Sequence, residues 1–176
     1  WYQSLMQLIP DGKLFSLRSV FDGIPRIVQQ LPTTLMLTLG GAIFGLVLAL
    51  IFAIVKINRV KVLYPLQAFF VSFLKGTPIL VQLMLTYYGI PLALKALNQQ
   101  WGTSFNINAI PAATFAIVAF AFNEAAYASE TIRAAILSVN SGEIEAARSL
   151  GMTRAQVYRR VIIPNAAVVA TPTLIN

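Results

Sequence analysis

The sequence contains no cysteine and no histidine, and only six of its 176 residues are acidic. Without cysteine and histidine there is no disulfide framework, no thiolate nucleophile and no histidine-based metal site or catalytic triad. The phosphate-cradling pattern G-x-x-x-x-G-K-S/T is also missing. We therefore expect no catalytic residues, no metal ligands, no bound cofactor and no ATP hydrolysis in this chain.

Charged residues of both signs are scarce. They make up 11% of the chain, against about 25% in an ordinary globular protein. Hydrophobic residues make up 57%, and the mean hydropathy is +0.73. This composition predicts a membrane protein and argues against a soluble enzyme. The net charge of +7 lies between long apolar runs, so we assign it to cytoplasmic membrane flanks and not to nucleic-acid binding.

The first membrane span is predicted at residues 31–55, within a stretch that carries no charge from residue 27 to residue 55. At about 1.5 Å per residue, a helix of this length crosses a hydrocarbon core of about 30 Å with some tilt. Lys56, Arg59 and Lys61 follow at once, and the positive-inside rule places them in the cytoplasm. Span one is therefore predicted to run from outside to inside.

Before span one, residues 1–26 are predicted to form an external or interfacial N-terminal segment. It has a turn at Pro10-Asp11-Gly12 and apolar residues at helical spacing between Leu14 and Ile24. An amphipathic interfacial helix and an ordinary loop packed on the protein both fit this pattern. Within the span, Gly41-Ala42-Ile43-Phe44-Gly45 has small residues four apart, which predicts close helix packing, with a dedicated dimer motif as the alternative.

The second span is predicted to follow a helix and a break. Residues 62–74 are uncharged but too few to cross the membrane, which predicts a helix at the cytoplasmic interface. Gly76-Thr77-Pro78 then predicts a bend, because proline removes a backbone donor and glycine relaxes the backbone. Lys75, just before it, can extend to the inner headgroups. Span two continues to Leu94, and the uncharged residues 98–108 predict an outer loop.

The third span is predicted to start near Ile110 and to carry polar residues in its inner half. A buried acid there costs free energy, so Glu124 is expected to line a pathway or to pair. Glu130 and Arg133, three residues apart, are expected to form a structural pair near the inner interface. A fourth span begins at residue 162 and is expected to be cut off, so the chain is interpreted as a fragment.

Residues 138–164 form a charged segment between two apolar runs, and this segment contains clear signals for where helices start and stop. Ser141 is a candidate N-cap, and Gly151 has the position of the left-handed glycine that ends a Schellman motif. Thr153 and Gln156 have the spacing of a capping box. These signals predict a short helix, a glycine turn and a second short helix that ends near the proline, held at the cytoplasmic face.

Three blocks of the sequence resemble motifs of ABC importer permeases. Glu145-Ala146-Ala147, Gly151 and Val161-Ile162-Ile163-Pro164 are spaced as in the EAA loop of that family, with Val161 and Ile163 as mild apolar departures. Residues 75–83 (KGTPILVQL) with 88–91 (YGIP) resemble a block of the polar amino acid permeases, in which Lys75 replaces the usual arginine. Residues 126–133 (AYASETIR) resemble a third block, and the three occur in family order.

The resemblance implies an all-α, polytopic bundle of the type I ABC importer permease kind, truncated in its fourth spanning helix. Residues 27–176 would form the incomplete permease domain, with residues 138–164 as its coupling segment. The family implies import of polar L-amino acids across the bacterial cytoplasmic membrane, and residues 125–136 are most like cystine-type members. Its partners would be two ABC ATPase subunits that carry ATP and Mg, a second permease copy or paralogue, an extracytoplasmic solute-binding protein and membrane lipid.

Three groups of residues receive expected roles. The residues expected to couple to the ATPase, with the two alanines allowing close approach, are Glu145, Ala146, Ala147, Arg148, Gly151 and Pro164. The residues expected to line the substrate pathway are Thr77, Gln82, Asn123, Glu124 and Tyr127. The residues expected to be structural are Lys75, Gly76, Pro78, Glu130 and Arg133.

Several alternatives stay open at this point. On its charges alone, the segment at residues 138–164 would be a solvated connector between spans. Glu124 fits a site for the basic group of a substrate, but it also fits a structural pairing or a cavity wall. Gln82 fits packing slightly better than pore lining. The rival functions are an ion-coupled transporter or channel with Glu124 as its cation site, and a non-transporting scaffold; neither requires the EAA block.

Overall fold

The computed structural model describes residues 17–175, and side chains from residue 19 onward. Within this range every regular element is a helix, which confirms the all-α prediction. The predicted turn at Pro10-Asp11-Gly12 and the rest of residues 1–16 lie outside the described residues. By its internal contacts the chain divides into two units, residues 1–38 and 39–176.

Helix α1 covers Leu17–Asn58 and is longer than the predicted first span. It includes the described part of the predicted N-terminal segment, so the expected boundary between residues 26 and 27 lies inside a helix. Pro25 and Pro32 are both within α1. In the first unit, the Thr34 hydroxyl donates a hydrogen bond to the Gln30 carbonyl at 3.2 Å.

The middle of the chain is a helix, a break and a second helical run. Helix α2 covers Leu63–Gly76, and α3 covers Ile79–Met84. A π-helical turn at Leu85–Gly89 leads directly into α4 at Ile90–Trp101. The break before α3 confirms the bend predicted at Gly76-Thr77-Pro78. Residues 102–111 then connect the outer ends of two helices and include a short 3₁₀ turn at Ile107–Ala109.

The last part of the described chain is a long helix followed by short ones. Helix α5 covers Ala112–Leu137. Two short helices follow, α6 at Ser141–Ser149 and α7 at Arg154–Val157. A second π-helical turn, Tyr158–Ile162, joins α7 to α8 at Ile163–Ile175. Three helical stretches are long and apolar enough to cross a membrane, as predicted for spans one to three: Ser19–Asn58, Ile79–Trp101 and Ala112–Leu137.

Small residues on α1 form its contact with α5 in the second unit. Gly41, Gly45, Ala49 and Ala53 are spaced four apart and are all buried. A Cβ atom on Gly41 would lie 2.9 Å from the Phe120 Cβ, so only glycine allows this approach. The prediction of close packing at this small-residue motif is confirmed. The outward face of the same helix is apolar and exposed, as lipid contact requires.

Helices α1 and α5 run in the same direction. Gly41 lies against Phe120, and Ala49 packs with Ala125 and Ala128 further along α5. Residue numbers therefore rise together on the two helices, which places their inner ends side by side. This is the orientation that the positive-inside rule predicts for spans one and three. Helix α8 packs on α5 through another alanine contact, Ala135 with Ala166 and Ala170.

Candidate coupling segment and polar cluster

The first helix of the coupling segment, residues 138–164, is capped by Asn140. Its side-chain oxygen Oδ1 accepts a hydrogen bond from the Gly142 N–H at 2.8 Å. Asn140 has extended backbone angles, as an N-cap residue requires, while Ser141 is already helical. The prediction of Ser141 as the cap was therefore wrong by one residue. Asparagine caps as well as serine does, so the pattern favoured neither strongly.

The helix ends in a complete Schellman motif at Gly151. Its φ of +78° is left-handed, and its N–H donates to the Arg148 carbonyl at 2.9 Å. The Met152 N–H donates to the Ala147 carbonyl at 3.2 Å, which is the longer bond of the motif. The prediction for Gly151 is confirmed, because both hydrogen bonds and the glycine conformation are present.

The second helix starts with the predicted capping box. The Thr153 N–H donates to the Gln156 side-chain oxygen at 2.8 Å, and the Gln156 N–H donates to the Thr153 hydroxyl at 3.4 Å. This helix was predicted to end near Pro164, but it continues past that residue. It widens into the π-helical turn at Tyr158–Ile162 and continues as α8. The wider turn makes room for a proline ring that would otherwise clash with the preceding turn.

A small apolar core holds the two helices of the segment together. Ala147, Val157 and Ile162 are all buried and pack with Ile144 and Met152. Ala147 is thus turned inward, with 5% of its surface exposed, and its part in coupling to the ATPase stays a prediction. A side chain larger than alanine at position 147 would push α6 away from α7, so the internal packing requires a small residue here.

The outward surface of the segment combines charge with one large apolar side chain. Glu145, Ala146 and Arg148 are exposed on α6. Leu150, at the tip beside the glycine turn, is 80% exposed. Sequence reasoning missed Leu150, although an apolar residue next to a Schellman glycine was a signal that could have identified it. Glu143 connects α6 to α8, because its carboxylate accepts a hydrogen bond from the Asn165 side-chain amide at 2.8 Å.

A second group of predicted site residues meets at the break before α3. Thr77 is extended, with φ −114° and ψ 137°, as expected for a residue that precedes proline. Gln82 is buried, and its Nε2 donates to the Leu74 carbonyl at 2.7 Å and the Thr77 carbonyl at 3.0 Å. The Asn123 amide donates to Gln82 Oε1 at 3.2 Å. One glutamine side chain therefore joins the end of α2 and the start of α3 to the middle of α5.

Thr77, Gln82 and Asn123 form a polar cluster, and Gln82 from this polar cluster lines an apolar cavity of about 220 Å³. Phe70, Leu74 and Phe122 contribute to the cavity wall. The two hydrogens of the Gln82 amide are already shared among protein acceptors. The geometry thus gives Gln82 a structural role, and its place in a substrate pathway stays a prediction.

Glu124 lies at the α1–α5 contact instead of in the polar cluster. A Cβ atom on Gly45 would come within 2.7 Å of the Glu124 Cβ. The side chain is half-buried and forms no hydrogen bond or ion pair with any residue of the described range. An unpaired acid at this depth is costly, which keeps Glu124 the leading candidate for contact with a polar solute.

Tyr127 and Lys75 form a separate pair. The Lys75 ammonium lies 5.2 Å from the centre of the Tyr127 ring, a cation–π distance. Tyr127 is about half exposed, at 52%. The contact joins α2 to α5 one turn closer to the cytoplasm than the Gln82–Asn123 bond. The five predicted pathway residues are therefore divided among three neighbouring sites on α5 and its partners.

At the inner end of α5, Glu130 accepts from two cations. Arg133 Nε donates to it at 3.0 Å, which confirms the predicted pair. Lys56 of α1 donates to its other oxygen. Sequence reasoning missed Lys56, since nothing local relates two residues 74 positions apart. The ion-pair triad links the cytoplasmic ends of α1 and α5.

These features define a class: a membrane-embedded helical bundle with a preformed helix–turn–helix at its cytoplasmic face. Residues 41–176 match the family described as binding-protein-dependent transport system inner membrane component. The chain belongs to this family. The family is one of transport proteins of the inner membrane, and the resemblance carried by the three sequence blocks is confirmed.

Similar proteins agree with this assignment. The chain is 37% identical over 157 residues to the probable amino-acid permease protein YxeN of Bacillus subtilis (strain 168), covering 89% of this chain and 66% of YxeN. It is 35% identical over 164 residues to the L-cystine transport system permease protein TcyL of the same organism, covering 93% of this chain and 66% of TcyL. It thus spans about two thirds of the length of these curated relatives.

A solved structure confirms the permease-like fold. It is described as "Crystal structure of an amino acid ABC transporter with histidines", and it superposes with a TM-score of 0.70 at 36% sequence identity. The match covers 91% of this chain and 69% of that chain.

Proposed function

We propose that this chain is most of one transmembrane subunit of an ATP-driven importer of polar L-amino acids, with cystine as the favoured substrate class. The observation that carries the proposal is family membership combined with the preformed helix–turn–helix at residues 138–164. Support for the substrate class comes from relatives named for amino acids, among them the L-cystine permease protein TcyL. ATP and Mg would bind on two partner ATPase subunits, and the present chain would carry out no covalent chemistry.

In this proposal the coupling segment transmits ATPase closure to the bundle. Three local devices stiffen it: the Asn140 cap, the Schellman motif at Gly151 and the capping box at Thr153. A segment fixed in this way moves as a rigid body when its outer surface is pulled. Leu150 would be the apolar anchor in the ATPase cleft, with Glu145 and Arg148 as charged contacts around it.

The substrate pathway would run beside α5, and a second permease copy or a paralogue would form its other half. In the proposed arrangement the pathway passes the break before α3, α3 itself and the inner half of α5. The residues that would border it are Thr77 in the break, Gln82 on α3, and Asn123, Glu124 and Tyr127 on α5. An external solute-binding protein would deliver the amino acid. Glu124 would hold a cationic amino group, because its carboxylate has no partner in the described range.

The coupling role is tested by Gly151→Val in the full-length protein expressed with its ATPase subunit. A β-branched residue is a marked outlier at positive φ, so the turn should distort and ATPase capture from detergent should fall about tenfold or more. Gly151→Asn is the matched control, because asparagine tolerates the left-handed conformation. Equal capture by the valine and asparagine variants, both inserted in the membrane, would contradict the coupling role.

The substrate role is tested separately with Glu124→Gln, which keeps the shape that packs against Gly45 and removes only the charge. We expect the KM for amino acid uptake to rise roughly tenfold, as loss of a charge-assisted contact predicts. The measurement is uptake into proteoliposomes that contain the whole complex. An unchanged KM and unchanged selectivity would show that Glu124 does not contact the substrate.

A further inference from the structure

A cavity of about 390 Å³ opens at the cytoplasmic end of the bundle, apart from the polar cluster and the coupling segment. It lies between the end of α1, the start of α2 and the end of α5. The residues that line it are Lys56, Ile57, Arg59, Tyr64, Arg133 and Leu137. Three of the six are cations, and none is acidic.

Among the residues that the structure describes, the positive charge in this cavity exceeds the negative charge that faces it. Lys56 and Arg133 share one carboxylate, Glu130, so the ion-pair triad keeps a net charge of +1. Arg59 adds a second positive charge and forms no hydrogen bond or ion pair within the described part of the chain. Arg133 gives only its Nε to Glu130. Its two terminal nitrogens form no protein hydrogen bond among residues 19–175, and they have the fork geometry that suits a phosphate.

The backbone at Arg59 is a second, independent observation. Its φ is +47°, and within the described range it is the one residue other than glycine with a positive φ. Glycine or asparagine is the usual choice at such a helix end, and other residues are strained there. Here the left-handed turn ends α1 and directs the chain toward α2, and the residue at the turn carries a charged side chain into the cavity wall.

The surroundings of the cavity favour a lipid over a soluble anion. Leu137 lines the cavity, and Val62 and Leu66 lie two residues before and after Tyr64 in the sequence. The three side chains are 60%, 78% and 64% exposed, respectively. They provide exposed apolar surface on the same elements that carry the cations. The Tyr64 hydroxyl adds a hydrogen-bond donor of the kind found at membrane interfaces. Basic pockets between membrane helices on the cytoplasmic side match anionic headgroups in both charge and position.

We propose that the cavity formed by Lys56, Arg59, Tyr64 and Arg133 binds the phosphate headgroup of an anionic phospholipid from the inner leaflet. The site is distinct from the substrate pathway and does not depend on which solute is transported. A headgroup bound there would contact α1, α2 and α5 together. It would therefore stabilise the inner end of the bundle, where the ion-pair triad also acts.

The test measures lipid binding to the full-length protein in neutral detergent by native mass spectrometry. The probes are dioleoylphosphatidylglycerol, dioleoylphosphatidylcholine and inorganic phosphate. The variant is Arg59→Gln, and the matched control is Lys61→Gln, which removes the same charge from the same loop outside the cavity. We expect phosphatidylglycerol to bind roughly tenfold more tightly than phosphatidylcholine, and Arg59→Gln to remove most of that preference. Lys61→Gln should weaken binding less than about threefold.

Arg59→Gly provides a second measurement that does not depend on a loss of folding. Glycine relieves the left-handed backbone, so the thermal stability without lipid should rise, while the increase on adding phosphatidylglycerol should disappear. Equal weakening by the Arg59 and Lys61 variants would show diffuse attraction and overturn the proposal. So would competition by inorganic phosphate as strong as that of the lipid, because the ligand would then be a free anion. Unchanged lipid preference in Arg59→Gln with loss of ATPase capture would assign the cations to a protein partner instead.

Discussion

Two of the breaks between helices in the described chain, Gly76–Pro78 and Gly151–Thr153, are built differently. At the second place the hydrogen bonds of the turn join close neighbours in sequence, through a left-handed glycine and a capping box. At the first place the polar groups are joined by Gln82, which reaches Leu74 eight residues back and Asn123 41 residues ahead. A local turn can be moved as a unit, whereas the other break is part of the bundle's internal packing.

Both breaks contain glycine, but only one needs it. Gly151 has a φ of +78°, whereas Gly76 has no positive φ and has no neighbour within 4 Å of where a Cβ would be. The first break comes from Pro78, which forces the preceding Thr77 into the extended conformation. The same residue type therefore has different importance at the two positions.

Of the substitutions at the two breaks, Gln82→Leu is expected to lower the free energy of unfolding most. The change leaves the Leu74 and Thr77 carbonyls without their donor in a buried site. We expect a loss of about 3 kcal/mol in the free energy of unfolding of the full-length protein, measured by detergent titration and circular dichroism. Asn123→Ala removes a single bond and should cost about 1 kcal/mol. If the two variants lose the same stability, Gln82 does not organise the break.

The next largest change in stability is expected when the glycine of each break is replaced by alanine. Gly151→Ala forces an L-residue into the left-handed region and should cost about 1–2 kcal/mol. Gly76→Ala meets open space in a helical residue and should be neutral or stabilise by up to about 1 kcal/mol. Both are measured as shifts in thermal unfolding in the same detergent. Destabilisation by Gly76→Ala as large as that by Gly151→Ala would mean that glycine, not proline, makes the first break.

The smallest effect concerns the cap of α6. Asn140→Ala removes the side chain that accepts from Gly142 and should cost about 1 kcal/mol. Ser141→Ala should change stability by less than about 0.5 kcal/mol, because its side chain caps nothing in the structure. Hydrogen exchange at the first turn of α6 would distinguish the two. If hydrogen exchange became faster in Ser141→Ala but not in Asn140→Ala, Ser141 would be the N-cap, as the sequence predicted.

The same contrast explains what the sequence could predict. The Schellman glycine and the capping box depend on residues within a few positions of each other, and spans one to three depend on continuous apolar runs; these predictions are confirmed. Lys56 with Glu130 and Gln82 with Asn123 depend on which helices pack together, which no local pattern contains. The inward direction of Ala147 depends on the core between α6 and α7 in the same way.

The start of span one shows a second limit on prediction from sequence. The first span was predicted to begin near residue 31 because the run of uncharged residues starts at residue 27. Pro25 and Pro32 are residues that would ordinarily mark a helix boundary in the same region. The chain is instead already helical at Leu17, the first described residue, and the helix contains both prolines. Proline is a weaker stop signal in membrane helices, where neighbouring groups can satisfy the carbonyls that it leaves without a donor.

The two π-helical turns have a further consequence for how the protein can change. At the second turn the Ile163 N–H bonds to Tyr158, five residues back, so the turn contains one residue more than an α-helix would. It is equivalent to a one-residue insertion within a continuous helix. Deleting one residue between positions 158 and 162 would leave an ordinary α-helix and rotate everything before it by about 100° around the axis of α8. Each residue added to or removed from this turn would therefore rotate the coupling segment by about 100° relative to α8.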